Sequence, residues 1–168
     1  MASTQSFDIT TGCELQEVDN AVNQAMKEIR QRYDFKGLDV NIDFRRADNK
    51  LVLRAPDEFK LRAMWDVVQE KMVRRQVPLK NLQHDKALPA AGGTMTQDVN
   101  LQQGIPIETA RAIVKFIKEL RIKKMQVEIR ADQVRVTSPS RDDLQVVMHK
   151  IKEQDFGVEL KFGNYRTN

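Results

Sequence analysis

The segment from Gln133 to Leu144 repeats the layout of an earlier one, from Lys50 to Leu61. Leu51 and Val134, Leu53 and Val136, Pro56 and Pro139, and Leu61 and Leu144 are each separated by 83 residues. A constant offset over four marks indicates a duplicated module. In both copies apolar residues alternate, a small residue and proline stop the strand, and acidic residues open a helical period of about 3.6. A chain of 168 residues therefore divides into two small domains, each of a size that still folds.

Around these marks the periodicity predicts one element order twice. Phe7 to Thr10 reads as a strand, and Leu15, Val18, Val22, Ala25, Met26 and Ile29 share one face of a helix ending near Tyr33. Val40, Ile42 and Phe44 alternate up to a turn at Ala47-Asp48-Asn49, and Leu51 and Leu53 form the return strand. A helix after Pro56 places Leu61, Met64, Trp65, Val68 and Met72 inward, and Val77 to Leu82 reads as a short edge strand. Residues 86 to 94 lose periodicity and collect Pro and Gly, as a connection between copies does. The second copy runs from Met95 to Leu101 into a helix from Ile105 that buries Ile107, Ala110, Ile113, Val114, Ile117 and Leu120. It continues through a hairpin turning at Ala131-Asp132, a helix capped by Ser140, and a last strand alternating at Val158, Leu160 and Phe162. The order is β-α-β-β-α-β in each copy, so the predicted fold class is α+β, a tandem of ferredoxin-like domains with antiparallel four-stranded sheets.

Composition narrows the function. With 40% hydrophobic and 31% charged residues the chain can bury a core and stay soluble. No apolar run approaches the roughly 20 residues of a membrane helix, and the polar start lacks a signal-peptide core, so the reading is cytoplasmic with no membrane partner. The single cysteine, Cys13, forms no internal disulfide. Residues 1 to 103 carry 15 basic and 15 acidic side chains, whereas 104 to 168 carry 13 and 9, so the entire net charge of +4 lies in the second half. An anionic partner favours that half.

No reaction is legible. His84 and His149 lack surrounding ligands at metal spacing, so neither metal nor cofactor is expected. Asp142 and Asp143 point about 100° apart on a helix and suit its N-terminus better than acid-base work. Gly92-Gly93-Thr94 lacks the Lys-Ser or Lys-Thr of a phosphate loop. Binding is the better expectation. Alternation assigns Gln126, Glu128, Arg130, Gln133, Arg135, Thr137, Glu159 and Lys161 to the helix-free face of the second sheet. Arg130 and Arg135 flank a tight turn and are candidates to share an anion, with Arg141 and Lys161 beside them and Lys123 and Lys124 steering the approach. Arg111, Lys115 and Lys118 form a basic strip at helical spacing, read either as a solvated face or as an RNA or protein-partner surface. No ring stands at Val99, Val134 or Val136, so base stacking on the central strands is not expected.

Ser6-Phe-Asp-Ile9, Arg32-Tyr-Asp-Phe-Lys-Gly37, Val134-Arg-Val-Thr137, Ser140-Arg-Asp-Asp-Leu-Gln145 and Asn164-Tyr-Arg166 together resemble the YajQ family of bacterial proteins. The resemblance implies two ferredoxin-like domains whose first strands are exchanged. One would comprise residues 11 to 93 with strand 94 to 101, the other 102 to 168 with strand 1 to 10. It also implies a non-catalytic nucleotide-binding protein, with cyclic di-GMP, GTP, ATP or RNA as ligand and a protein or nucleic-acid partner downstream. Where relatives read Gly-Lys before Ser-Arg-Asp-Asp-Leu-Gln, this chain has Ser138-Pro139; at the hairpin it has Arg130-Ala131 in place of Gln-Gly, and in the final strand Lys161 in place of Gln.

Overall fold

A computed structural model describes residues 3–168. Four helices and two antiparallel sheets divide into two compact units, one formed by residues 1–12 with 104–168 and the other by 13–103. The chain is mixed α/β, arranged as two α+β domains.

In the 13–103 unit, α1 (Leu15–Gln31) and α2 (Glu58–Arg74) cover a sheet of β2 (Asn41–Arg45), β3 (Lys50–Ala55), β6 (Met95–Leu101) and β4 (Leu82–His84), in that spatial order, with β5 (Leu88–Pro89) also paired to β6. Leu51 and Leu53 of β3 and Val99 and Leu101 of β6 meet Val18, Ala25 and Ile29 of α1 and Leu61, Met64 and Met72 of α2. The buried apolar residues of each helix form a face that must be covered by the sheet, although Phe59 and Val73 of α2 stay exposed. Asp57 caps α2 by accepting from the backbone N–H of Lys60 at 2.8 Å. The two ends of this unit are clasped together. The Gln103 amide accepts from the Cys13 N–H at 2.7 Å and donates to the Cys13 carbonyl at 2.9 Å.

The other unit has the spatial strand order β7 (Gln126–Arg130), β8 (Gln133–Ser138), β1 (Gln5–Thr10), β9 (Lys161–Thr167). Helices α3 (Ile107–Glu119) and α4 (Arg141–Lys152) bury Ala110, Ile113, Ile117, Leu144, Val147 and Ile151 against Phe7, Ile9, Val134 and Val136. Ser140 caps α4, its hydroxyl accepting from the Asp143 N–H at 3.2 Å. That hydroxyl satisfies one of the donors a helix start leaves open.

Four local readings are corrected. Pro78 precedes a 3₁₀ turn at Leu79–Asn81, so the edge strand begins only at Leu82; Asn81 is fully buried and donates through its side chain to the Gln102 carbonyl at 2.9 Å. Segment 86–94 is folded back along β6, with Leu88 and Pro89 opposite Thr96 and Met95, and Gly92 and Gly93 take positive φ at its turn. Ile107 is 51% exposed at the first position of α3, where a side chain leans back off the helix start. The last ladder begins at Lys161 rather than Val158. Val158 is buried in the preceding loop, so its alternation with Leu160 reflects burial and not strand pairing.

Candidate functional site

The centre of the site is a buried carboxylate. On β1, Phe7 and Ile9 face the helices, which turns Asp8 to the opposite face of the sheet. Asp8 is nevertheless only 3% exposed, because basic side chains from two neighbouring strands close over it. Arg135 of β8 donates to it from Nε at 2.9 Å and from a terminal nitrogen at 3.3 Å. From β9, Asn164 donates at 2.7 Å and Arg166 at 3.0 Å. The hydrogen bond from Arg135 leads the effects that hold the Asp8 carboxyl below its ordinary value, against the opposing cost of burial. The same contact raises Arg135.

A β-bulge makes this arrangement possible. Ser6 pairs with Arg166 but Asp8 pairs with Gly163, so β9 spends one extra residue there, and Asn164 takes a left-handed φ of 59°. Period-two alternation would put Phe162, Asn164 and Arg166 on one face. With the extra residue, Phe162 and Tyr165 both approach Phe7 at ring distances of 5.9 and 6.0 Å, while Asn164 and Arg166 both reach Asp8. Such re-aiming of side chains is what a bulge does to a strand.

Next to this cluster lies a cleft of about 470 Å³ where α4 begins. It is lined by Arg141, Leu144 and Gln145 of α4, Gln5 and Ser6 of β1, and Tyr165, Arg166 and Thr167 of β9. No lining residue is acidic. Arg141 forms no ion pair among the described residues. Two guanidinium groups share the single charge of Asp8, and the buried Nε of Arg166 has no hydrogen-bond partner among the described residues. Tyr165 is 58% exposed as a residue, and its hydroxyl donates to the Met148 sulfur at 3.3 Å. A cationic cleft with one aromatic face and a helix start beside it suits a group that is anionic at one end and planar at the other.

The six residues singled out in the sequence do not converge. Arg141 lines the cleft. Arg135 is turned onto Asp8, and Arg130 lies 3.6 Å from Glu128. Arg130 stands opposite Gln133, and Lys161 opposite Thr10, at the far end of the sheet from Ser138; five residues of strand separate the ends by about 17 Å. Lys161 donates to the Gly12 carbonyl at 3.3 Å. Lys123 and Lys124 are exposed in the turn before β7. Glu159, assigned with Lys161 to the sheet face, precedes the strand. The strip of Arg111, Lys115 and Lys118 lies along a separate groove on α3. Tyr165, Arg166, Gln5, Ser6 and Gln145 also line the cleft and are not among the candidates read from the sequence, although the motif Asn164-Tyr-Arg166 lies at this place.

Four of the five segments that carried the resemblance share this location: Ser6–Ile9, Val134–Thr137, Ser140–Gln145 and Asn164–Arg166 supply Asp8, Arg135, Arg141, Tyr165 and Arg166, whereas Arg32–Gly37 belongs to the 13–103 unit. The family model described as nucleotide-binding protein YajQ-like matches residues 5–166. The chain belongs to the YajQ family. A Solibacter usitatus protein named nucleotide-binding protein is 47% identical over 163 residues, covering 97% of this chain and 98% of its own. Proteins of the same name from Carboxydothermus hydrogenoformans, at 47% identity, and Chloroherpeton thalassium, at 40%, each align over 166 residues, 99% of this chain and all of theirs. These YajQ relatives are named for binding and not for catalysis. Among the described residues of this member, no group of three His, Cys, Asp or Glu side chains is placed to hold a metal ion, and no helix is long and apolar enough to cross a membrane.

Proposed function

We propose that this protein is a non-catalytic nucleotide-binding protein whose ligand occupies the α4 cleft, with phosphate on Arg141 and Arg166 and the base on Tyr165. The observation that carries the reading is the surplus cation: two arginines on one buried carboxylate, one of them with an unpartnered Nε, beside an unpaired Arg141. Two charge-assisted contacts contribute about 1.5–3 kcal/mol each and one base stack about 1–3 kcal/mol. Together these give about 4–9 kcal/mol before ordering costs, so a micromolar ligand, at roughly 8 kcal/mol, needs further contacts along the cleft. In this reading Arg130 and Lys161 lie outside the phosphate site, and Arg135 serves it by holding Asp8. The ligand is a purine nucleotide such as cyclic di-GMP, GTP or ATP, and the protein acts as a cytoplasmic sensor that passes occupancy to a partner. Its two ferredoxin-like domains carry exchanged first strands, a topology supported by the pairing of β1 with β8 and β9 and of β6 with β3 and β4.

Isothermal titration against cyclic di-GMP, GTP, ATP and a short RNA tests this reading. One nucleotide is expected to bind at a single site, and Arg141→Ala to weaken it at least about tenfold with the melting temperature unchanged. Unchanged affinity in that variant sinks the cleft assignment. A second reading, RNA binding, rests on the excess of basic residues in 104–168. It predicts affinity falling steeply with salt, whereas a ligand with one or two phosphates gives a shallow slope.

A further inference from the structure

The sheet containing β1 has an unpartnered edge that the nucleotide reading does not use. Strand β7 pairs with β8 on one side and with no described strand on the other. It contains no proline, a common means of blocking strand addition. Between this strand and α3 runs a groove of about 450 Å³. Its floor is Val114 and Ile129, and its rim is Arg111, Lys115, Lys118 and Arg121 with one acid, Glu119. Arg111 is drawn to Glu108 at 3.2 Å. Lys115, Lys118 and Arg121 form no ion pair among the described residues.

We propose that this groove takes an extended acidic segment of a partner protein, added as a further strand to β7. Main-chain hydrogen bonds to the open edge would supply affinity, and side chains on alternate positions would supply selectivity. Successive side chains of a strand point to opposite faces, so every second residue of the segment turns toward α3. Apolar residues there cover Val114 and Ile129, and carboxylates meet the unpaired cations of the rim. The floor and the free backbone edge favour a peptide over RNA, because no aromatic ring lines the groove to stack a base. The surface is independent of the α4 cleft and shares no lining residue with it.

The test is fluorescence anisotropy of the full chain with a labelled eight-residue peptide, Thr-Val-Thr-Glu-Thr-Val-Thr-Glu, which carries valine and glutamate on one face. Saturable binding is expected, weakened at least tenfold by the double substitution Lys115→Glu and Lys118→Glu and by methylating alternate peptide amides. Both lysines are exposed, and circular dichroism checks that the double variant folds. Hydrogen exchange of the β7 amides should slow in the complex. No saturable binding of the peptide overturns the proposal, as does equal binding of a permuted peptide of the same composition. So does an eight-nucleotide RNA that binds through the two lysines where the peptide does not.

Discussion

Asp8 is a single carboxylate holding two arginines and an asparagine from strands distant in sequence, with contacts at 2.7 to 3.3 Å. Asp8→Asn keeps the shape but leaves guanidinium charge uncompensated, and loss of one partner of a buried ion pair costs about 3–5 kcal/mol. Chemical denaturation should show a loss approaching that range, and a change under about 0.5 kcal/mol would mean the cluster is held by packing alone. The acid side of the stability profile follows from the same contacts. Because the folded carboxyl lies below its ordinary value of 3.8, its contribution is complete above that value and is lost as pH falls through it toward the depressed one. Asp8→Asn should flatten this part of the profile. Little of the cluster was legible in the sequence: alternation put Arg135 on the correct face, but nothing local announced that Asp8 lies between it and Arg166, 127 and 158 residues away.

Elements with a strong period were legible because burial and pairing act on the same residues. The stripe on α1 and the alternation on β3 and β8 both reappear in the cores. The last strand failed for a physical reason. Its bulge at Asn164 breaks the period of two just where Tyr165 and Arg166 enter the cleft, so a reading by alternation ends at Phe162, two residues into β9, and leaves out the cleft's aromatic face. The β7–β8 hairpin carries a different irregularity. Ala131 holds a left-handed φ of 55°, a conformation that costs a residue with a Cβ about 1–2 kcal/mol. Ala131→Gly should therefore raise stability, by about 0.5–1 kcal/mol once the greater chain entropy of glycine is subtracted. Thermal melts decide this, and a lower melting temperature in the variant would contradict it.

At the level of the whole molecule, the duplication seen at an offset of 83 residues is not the same as the division into units. The 13–103 unit contains all the strands of its own sheet, β2 through β6, in one continuous segment. The other unit depends on β1, which lies between β8 and β9 and comes from the opposite end of the chain. A fragment of residues 13–103 should fold alone. A fragment of 104–168 should not, and a peptide spanning residues 3–12 should restore its circular dichroism when added in trans. Cooperative folding of 104–168 without that peptide would show that β1 is dispensable. The cleft proposed to hold the nucleotide draws on both pieces of the β1-containing unit, since Gln5 and Ser6 line it together with Arg141, Tyr165 and Arg166. The most direct measurement is amide chemical-shift mapping of the full chain titrated with the nucleotide that binds best. The account predicts perturbations confined to the start of β1, the first turn of α4 and the end of β9; perturbations centred on the Arg130 hairpin or on α3, with those segments silent, would contradict it.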